Sequence, residues 1–375
     1  MKARRQRLLI FGMVAAIFVL LWNNSVLVYK KSSRISLPCE DTFNEKKVEK
    51  TIQNSRLGMQ FLKPNPSRRV KRFVYLVQTA QCLPEKLLNE QHIGDARRCR
   101  CDVVVLSFKQ PCEDKNKTLF SHVEYLSRPA DGDRLSWSAG RNLLFSTSKA
   151  RNSEYLYYIF MDDDLEVSYN EAHTPPSMRS VSPMRSFENF LLQYTPAIGV
   201  PNYLTHHSSD IMIKKIKTIC KRDQFNSSLT FVPIVHFDAS LNAFHKDAVK
   251  HILPYPTKYD KTNWWHSQRY VLAASELKFR GQCYMFVPVN SVNTKHGDYP
   301  QNDHNANQVW SSIVQNLVSN IPQEYTKEKW IKEFIEDPVK HTENSRAICW
   351  KFPLNFSIRP FAYFALNQEY TTRIS

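Results

Sequence analysis

Apolar and polar positions divide the 375-residue chain into three stretches of different texture. Leu8 to Trp22 is a near-continuous apolar run; Asn23, Asn24 and Ser25 interrupt it, and Val26 to Tyr29 extend it toward Lys30 and Lys31. Read as one helix over 8–29, it is long enough to cross a bilayer core, which takes roughly 20 residues at 1.5 Å each. Residues 30–72 are polar and charged, with Pro64 and Pro66 near their end, and read as a stem with one short helix around Val48 to Met59. From Phe73 the texture is that of a packed domain, expected over 73–340, with a C-terminal extension, 341–375, packed on it.

Within that domain Phe73 to Thr79 and Asp102 to Phe108 are short apolar, β-branched and aromatic runs, the pattern of buried strands. A short helix is expected at Glu85 to Asn89, a weaker strand at His122 to Leu126, and a helix at Leu135 to Ala150. The strong strand Tyr155 to Met161 follows. Further on, Phe187 to Gln193 reads as helical, Thr230 to Phe237 as extended, and Leu241 to Leu253 as a helix stopped by Pro254. Trp265 to Leu277 reads as a helix, Gln282 to Val289 as a strand, and Trp330 to Glu336 as a last helix. Strands alternating with helices predict a single α/β domain with a mixed, mainly parallel sheet.

The apolar run follows Lys2, Arg4, Arg5 and Arg7. Cationic flanks stay in the cytosol, so 1–7 is expected to be a cytosolic tail and everything after the span to lie in the secretory lumen. A cleaved signal peptide would have a similar outline, but no clean A-x-A site follows the run, and an uncleaved anchor is expected. Eight cysteines, four of them between Cys82 and Cys112, suit an oxidising lumen and predict disulfides. Cys99-Arg-Cys101 is too short for a zinc knuckle. The sequons at Asn116, Asn226 and Asn355 would face the glycosylation machinery in this topology. A formal net charge of +16 raises the question of nucleic acid. The basic residues are spread along the chain instead of forming one stripe, and a lumenal domain meets no nucleic acid, so that class is excluded. What remains is a solvated basic surface or a field that attracts anionic substrates such as nucleotide diphosphates or acidic glycans.

Chemistry concentrates where the strand ending at Met161 runs into Asp162, Asp163 and Asp164. Ligands of open α/β sheets bind past the C-terminal ends of strands. Three adjacent carboxylates repel one another unless solvated or bound to a cation, and hard divalent ions take such oxygen ligands. A solvated acidic turn is the competing reading. Upstream, Ser138-Ala-Gly-Arg-Asn142 opens a helix that leads, through a polar break ending at Glu154, into the strand and the carboxylates.

This order resembles the nucleotide-sugar glycosyltransferases of the GT-A fold, a Rossmann-related fold, over roughly Phe73 to Pro300. The residues that carry the resemblance are Gly140, Arg141, Asn142, Glu154, and Asp162 with Asp164 as the D-x-D motif. It implies a Golgi type II membrane enzyme that moves a sugar from a nucleotide-sugar donor, a UDP-sugar being expected, to a glycan, protein or lipid acceptor. Mn²⁺ or Mg²⁺ would be held by Asp162, Asp164 and a histidine late in the domain, His296, with His304 in reserve. Arg141, Asn142, Asp162 and Asp163 would bind the donor.

On the acceptor side, Asp238 in His236-Phe-Asp-Ala-Ser240 either takes sugar hydroxyls or caps the next helix. Trp264 and Trp265 suit the apolar face of a sugar ring or a core, and Gln268 is a further acceptor candidate. Inverting members of the fold carry an acidic pair where this chain has His266-Ser-Gln268. The base is therefore Asp260, His266 or Asp238, or the enzyme retains configuration and needs none. A different class, a non-catalytic lumenal glycan-binding protein of the same fold, would also leave that pair missing. A two-metal phosphohydrolase lacks its second carboxylate/His set. G-x-S-x-G, P-loop and G-x-G-x-x-G motifs are absent from a chain with eight glycines.

Overall fold

The run Phe73–Thr79 (β1) is apolar on both faces because it lies in the middle of a sheet with helices on either side. Val74 and Leu76 join one core; Phe73, Tyr75 and Val77 join another; none is more than 1% exposed. The computed structural model describes residues 72–89, 91–93, 101–113, 120–127, 135–151, 155–204, 210–214, 230–294, 300, 305–319, 321, 323 and 325–344. The expected tail, the membrane span, all of the stem but Arg72, the three sequons, Glu154, His296, His304 and almost all of the C-terminal extension lie outside them. Among the described residues no helix is long and apolar enough to cross a membrane.

The remaining elements are β2 (Cys101–Ser107), β3 (Val123–Ser127), α1 (Trp137–Arg151), β4 (Tyr157–Asp162), β5 (Leu165–Tyr169), α2 (Pro183–Tyr194), β6 (Ile198–Tyr203), β7 (Phe231–Pro233), β8 (Leu241–His245), α3 (Lys246–Ile252), α4 (Trp264–Phe279), β9 (Cys283–Asn293), α5 (Ala306–Val318), α6 (Lys329–Glu336) and α7 (Pro338–Asn344). The strands form one mixed sheet in the order β3-β2-β1-β4-β8-β6-β9-β5, with β7 also on β9. β3, β2, β1 and β4 run parallel, with Phe73 opposite both Cys101 and Tyr157. β8 enters antiparallel between β4 and β6, and β6 runs parallel to β9. The C-terminal ends of β1, β2, β3 and β4 therefore share one edge. Side chains of α1, α3, α4, α5 and α6 build the core on one face of the sheet, and those of α2 the core on the other. Each large apolar side chain so buried contributes roughly 1.5–3 kcal/mol relative to exposure.

The strands at 73, 101, 123 and 157 and the helices at 137, 183, 264 and 329 fall where the apolar pattern predicts them. Leu241–Leu253 does not form one helix: its first five residues are β8, paired with β4, and only Lys246–Ile252 is helical. Pairing beside the central strands outweighs the helical spacing there. The helix expected at Glu85 to Asn89 is a single 3₁₀ turn, Glu85–Leu87. β6 escaped the pattern because it holds Gly199 and Pro201. Pro201 sits where the β6–β9 register shifts, so its missing N–H leaves the ladder intact. A Cβ on Gly199 would stand 2.3 Å from Leu191 Cδ2, so the glycine is what lets α2 pack closely. β5 and α5 were also missed, although Val309, Trp310, Ile313, Val314 and Leu317 make a helical stripe.

Cys82 is bridged to Cys112, Cys101 is also disulfide-bonded, and Cys283 is free and buried. α7 crosses the boundary expected at residue 340. Its His341, 3% exposed, meets Glu276 of α4 at 2.7 Å, and Arg280 binds the same carboxylate.

Candidate active site

The carboxylates stand at the edge shared by the parallel strands. Asp162 ends β4 opposite Gln78 of β1, and Asp163 and Asp164 form the turn into β5. The turn is fixed from behind: Asp162 N donates to the Ser240 carbonyl at 2.9 Å, and Thr294 donates through N and Oγ1 to the Asp164 carbonyl at 3.3 and 2.8 Å. Burial pushes the Asp162 carboxyl up to about 7; Arg141 works against this, while Asp238, Asp164 and Asp163 reinforce it. Burial also raises Asp163, with the Thr79 hydroxyl opposing it.

Arg141 is 3% exposed, and its guanidinium is held on every side. Nη2 donates to Asp162 Oδ1 at 2.8 Å and to the Ala239 carbonyl at 3.1 Å, and Nη1 donates to Tyr255 Oη at 3.4 Å. The Trp137 ring lies 4.1 Å from the guanidinium carbon and stacks on Trp264 at 6.5 Å and 12°. Gly140 lets α1 come close enough for this reach, since a Cβ there would stand 1.6 Å from Gln78 Nε2. Asn142 bonds the Tyr255 backbone at both ends, each at 2.8 Å. The Gly-Arg-Asn triplet thus joins α1 to the strand end and to the loop before α4. Asn142 spends its amide on that loop.

Asp238 is placed beside Asp162 by the same guanidinium. Its Oδ1 accepts from Ser240 N at 2.8 Å in a tight turn that leads into β8, so it caps no helix. It makes no ion pair with any described residue. With Ser240, Tyr203 and Ser291 it lines a small cleft where β6 and β8 diverge. The other candidates are engaged by neighbouring groups of the fold. Asp260, 7% exposed, accepts from Ser136 Oγ at the start of α1, where a carboxylate answers the unpaired N–H groups of the helix. His266 and Gln268 are each 1% exposed; His266 packs against Tyr259, and Gln268 Nε2 donates to the Phe237 carbonyl at 3.4 Å. That burial leaves neither side chain an acceptor-facing surface. Trp264 and Trp265 are half-buried at the start of α4, and Trp264 Nε1 donates to the Asp260 carbonyl at 2.9 Å.

Donor chemistry suits a hard divalent cation at the turn, since Asp162 and Asp164 offer carboxylate oxygens on one edge. Among the described residues no three His, Cys, Asp or Glu side chains cluster closely enough to cage an ion. Mg²⁺-type sites commonly use one or two carboxylates completed by substrate phosphates, so the pair fits that arrangement. His296 lies outside the described residues; Thr294, two residues earlier, is bonded to Asp164. Thr79, Lys86, Trp137, Tyr255 and Ser240 also belong to the site and were not singled out from sequence. For Thr79 a signal was available, because it is the C-terminal residue of a predicted strand.

No family model and no curated protein sequence matches the chain. S. aureus TarS residues 1–349 in complex with UDP-GlcNAc is similar over 73% of this chain and 74% of that chain, at 11% identity and a TM-score of 0.41. The same TarS fragment with UDP gives 70% of both chains, 10% identity and a TM-score of 0.40. Mannosyltransferase PcManGT from Pyrobaculum calidifontis, in complex with GDP-Man and Mn²⁺, is similar over 79% of this chain and 76% of that chain, at 13% identity and a TM-score of 0.37. At these identities and scores the likeness assigns neither an activity nor a residue role to this chain.

Proposed function

We propose that the chain is a metal-dependent glycosyltransferase that takes its sugar from a nucleotide-sugar donor, a UDP-sugar first, and passes it to a glycan, glycoprotein or glycolipid hydroxyl. The supporting observation is the carboxylate turn Asp162–Asp164 at the end of buried β4, with Arg141 joining it to the Asp238 turn. Asp164, with Asp162 and His296, would hold Mn²⁺ or Mg²⁺, which when bound would act as a Lewis acid on the departing diphosphate. Arg141 keeps Asp162 oriented by engaging its Oδ1 at 2.8 Å. Asp163 adds to the negative charge that draws the cation in. Asp238, without an ion pair to the described residues, would accept the acceptor hydroxyl's proton on its carboxylate if transfer inverts configuration. The half-buried Trp264 and Trp265 would border the acceptor. The apolar run at 8–29 would anchor the enzyme as a type II protein of the Golgi membrane.

The second reading, a glycan-binding protein without transfer activity, draws on Asp260 and His266, both buried and engaged at the start of α1 and α4. A thermal-shift panel of UDP, GDP and their sugars, with and without Mn²⁺, separates the two. A nucleotide shift that needs Mn²⁺ and disappears in Asp164→Ala is expected. A shift with free glycans alone would favour the binding protein.

A further inference from the structure

Three adjacent carboxylates are a poor seat for a diphosphate, which carries several negative charges of its own; a second source of positive charge beside the turn would offset this. Lys86 occupies that place. The loop that leaves β1 is locked on both sides: Cys82 is bridged to Cys112, Thr79 Oγ1 donates to the Cys82 carbonyl at 3.1 Å, and Ser107 Oγ donates to the Gln81 carbonyl. Leu87, fully buried, pins the 3₁₀ turn Glu85–Leu87, and Ile93 N donates to its carbonyl at 3.1 Å. The neighbouring Lys86 is thereby held over the carboxylate turn, with Nζ 3.5 Å from the Asp164 carbonyl and 4.0 Å from Glu166 Oε1. Both contacts are long. The lysine side chain is 42% exposed and that of Glu166 66%. A pair so exposed contributes little to stability, and a carbonyl at 3.5 Å is at the limit of a hydrogen bond. The fold therefore fixes the turn that carries Lys86 and leaves its ammonium beside the carboxylates with little of its hydrogen-bonding capacity consumed.

We propose that Lys86 is a diphosphate-binding residue of the site, contacting phosphate oxygens of the nucleotide while Asp162 and Asp164 serve the metal side. The proposal rests on the nucleotide-sugar reading and adds to it a residue and a division of charge. It predicts effects of opposite sign, because one ammonium both attracts the phosphates and repels a cation from the same turn.

The test measures binding to the full-length chain in detergent by calorimetry, and Mn²⁺ alone by electron paramagnetic resonance. In Lys86→Met the affinity for UDP in the presence of Mn²⁺ should fall about tenfold, that for Mn²⁺ alone should stay level or rise about twofold, and Lys86→Arg should restore UDP binding. A melting temperature equal to wild type in both variants excludes a folding effect. UDP affinity within twofold of wild type in Lys86→Met overturns the proposal, as does a parallel fall in Mn²⁺ affinity. Inorganic pyrophosphate separates this inference from its parent. A wild-type chain that binds pyrophosphate through Lys86 but no UDP or GDP supports the lysine's role and removes the sugar-nucleotide reading. A chain that binds none of the three overturns both.

Discussion

Asp162 and Asp164 differ less in sequence than in what depends on them. Asp162 is the carboxylate partner of a guanidinium that is 3% exposed, and a buried charge stripped of its partner is expensive. Asp162→Ala should therefore destabilise the domain by about 2–4 kcal/mol, seen as an earlier urea midpoint. Asp164 contributes its backbone carbonyl to Thr294, a bond that alanine keeps, and its side chain is only partly buried. Asp164→Ala should stay within about 1 kcal/mol of wild type while losing metal-dependent nucleotide binding. The sequence separates the two by donor and metal role but not by their effect on stability, because nothing in the spacing of Asp162 and Arg141 reveals that they meet. Equal unfolding midpoints in the two variants would contradict the assigned ion pair.

At the scale of elements, α1 is placed by a missing side chain. Glycine to alanine inside a helix ordinarily gains about 1 kcal/mol. At Gly140 the new Cβ would lie 1.6 Å from Gln78 Nε2 and 3.0 Å from Leu106 Cδ2. Gly140→Ala should thus cost about 1–2 kcal/mol, the usual range for mild overpacking. Adding Gln78→Ala should recover most of it, and denaturant unfolding of the double-mutant cycle reads the coupling directly. The short helix α3 begins with a different device. His245, 6% exposed, accepts from Asp247 N through Nδ1 at 3.2 Å, which requires a neutral ring. Burial lowers its pKa to about 4, with Lys246 assisting and Asp247 opposing. The unfolded chain, with a histidine near 6.5, takes up the proton first as pH falls. Stability from this group is therefore complete above about pH 6.5 and is lost progressively toward pH 4, by roughly 2–3 kcal/mol. Asp162, whose carboxyl burial raises to about 7, titrates in the same window with the opposite sign. The difference between wild type and His245→Asn, which keeps a capping oxygen, in thermal unfolding at pH 7 and pH 5 therefore measures the histidine's share.

For the molecule as a whole, the half of the sheet built from β1, β2 and β4 was legible because strands buried on both faces write continuous apolar runs, as in Tyr157–Met161. The carboxylate edge was legible because such a run ends there. What stayed hidden came from contacts between distant segments. β8 looked helical since Leu241 to His245 owes its form to β4, and Asp260 looked catalytic because its engagement at the start of α1 lies 124 residues away in sequence. His266 and Gln268 are polar letters in a buried helix turn, and only the packing of α4 on the sheet shows where they face.

The insertion of β8 between β4 and β6 also sets an order of assembly during synthesis. β1 to β4 are complete once residue 162 has emerged, but the open side of β4 must wait for residues 241–245. β6 likewise waits for β9, which begins at Cys283. Until then a growing chain presents an uncovered, fully apolar central strand, the kind of edge that recruits chaperones or other chains. The two carboxylate turns at 162–164 and 238–240 come together in the step that closes this edge, so the site forms only after most of the domain has been made.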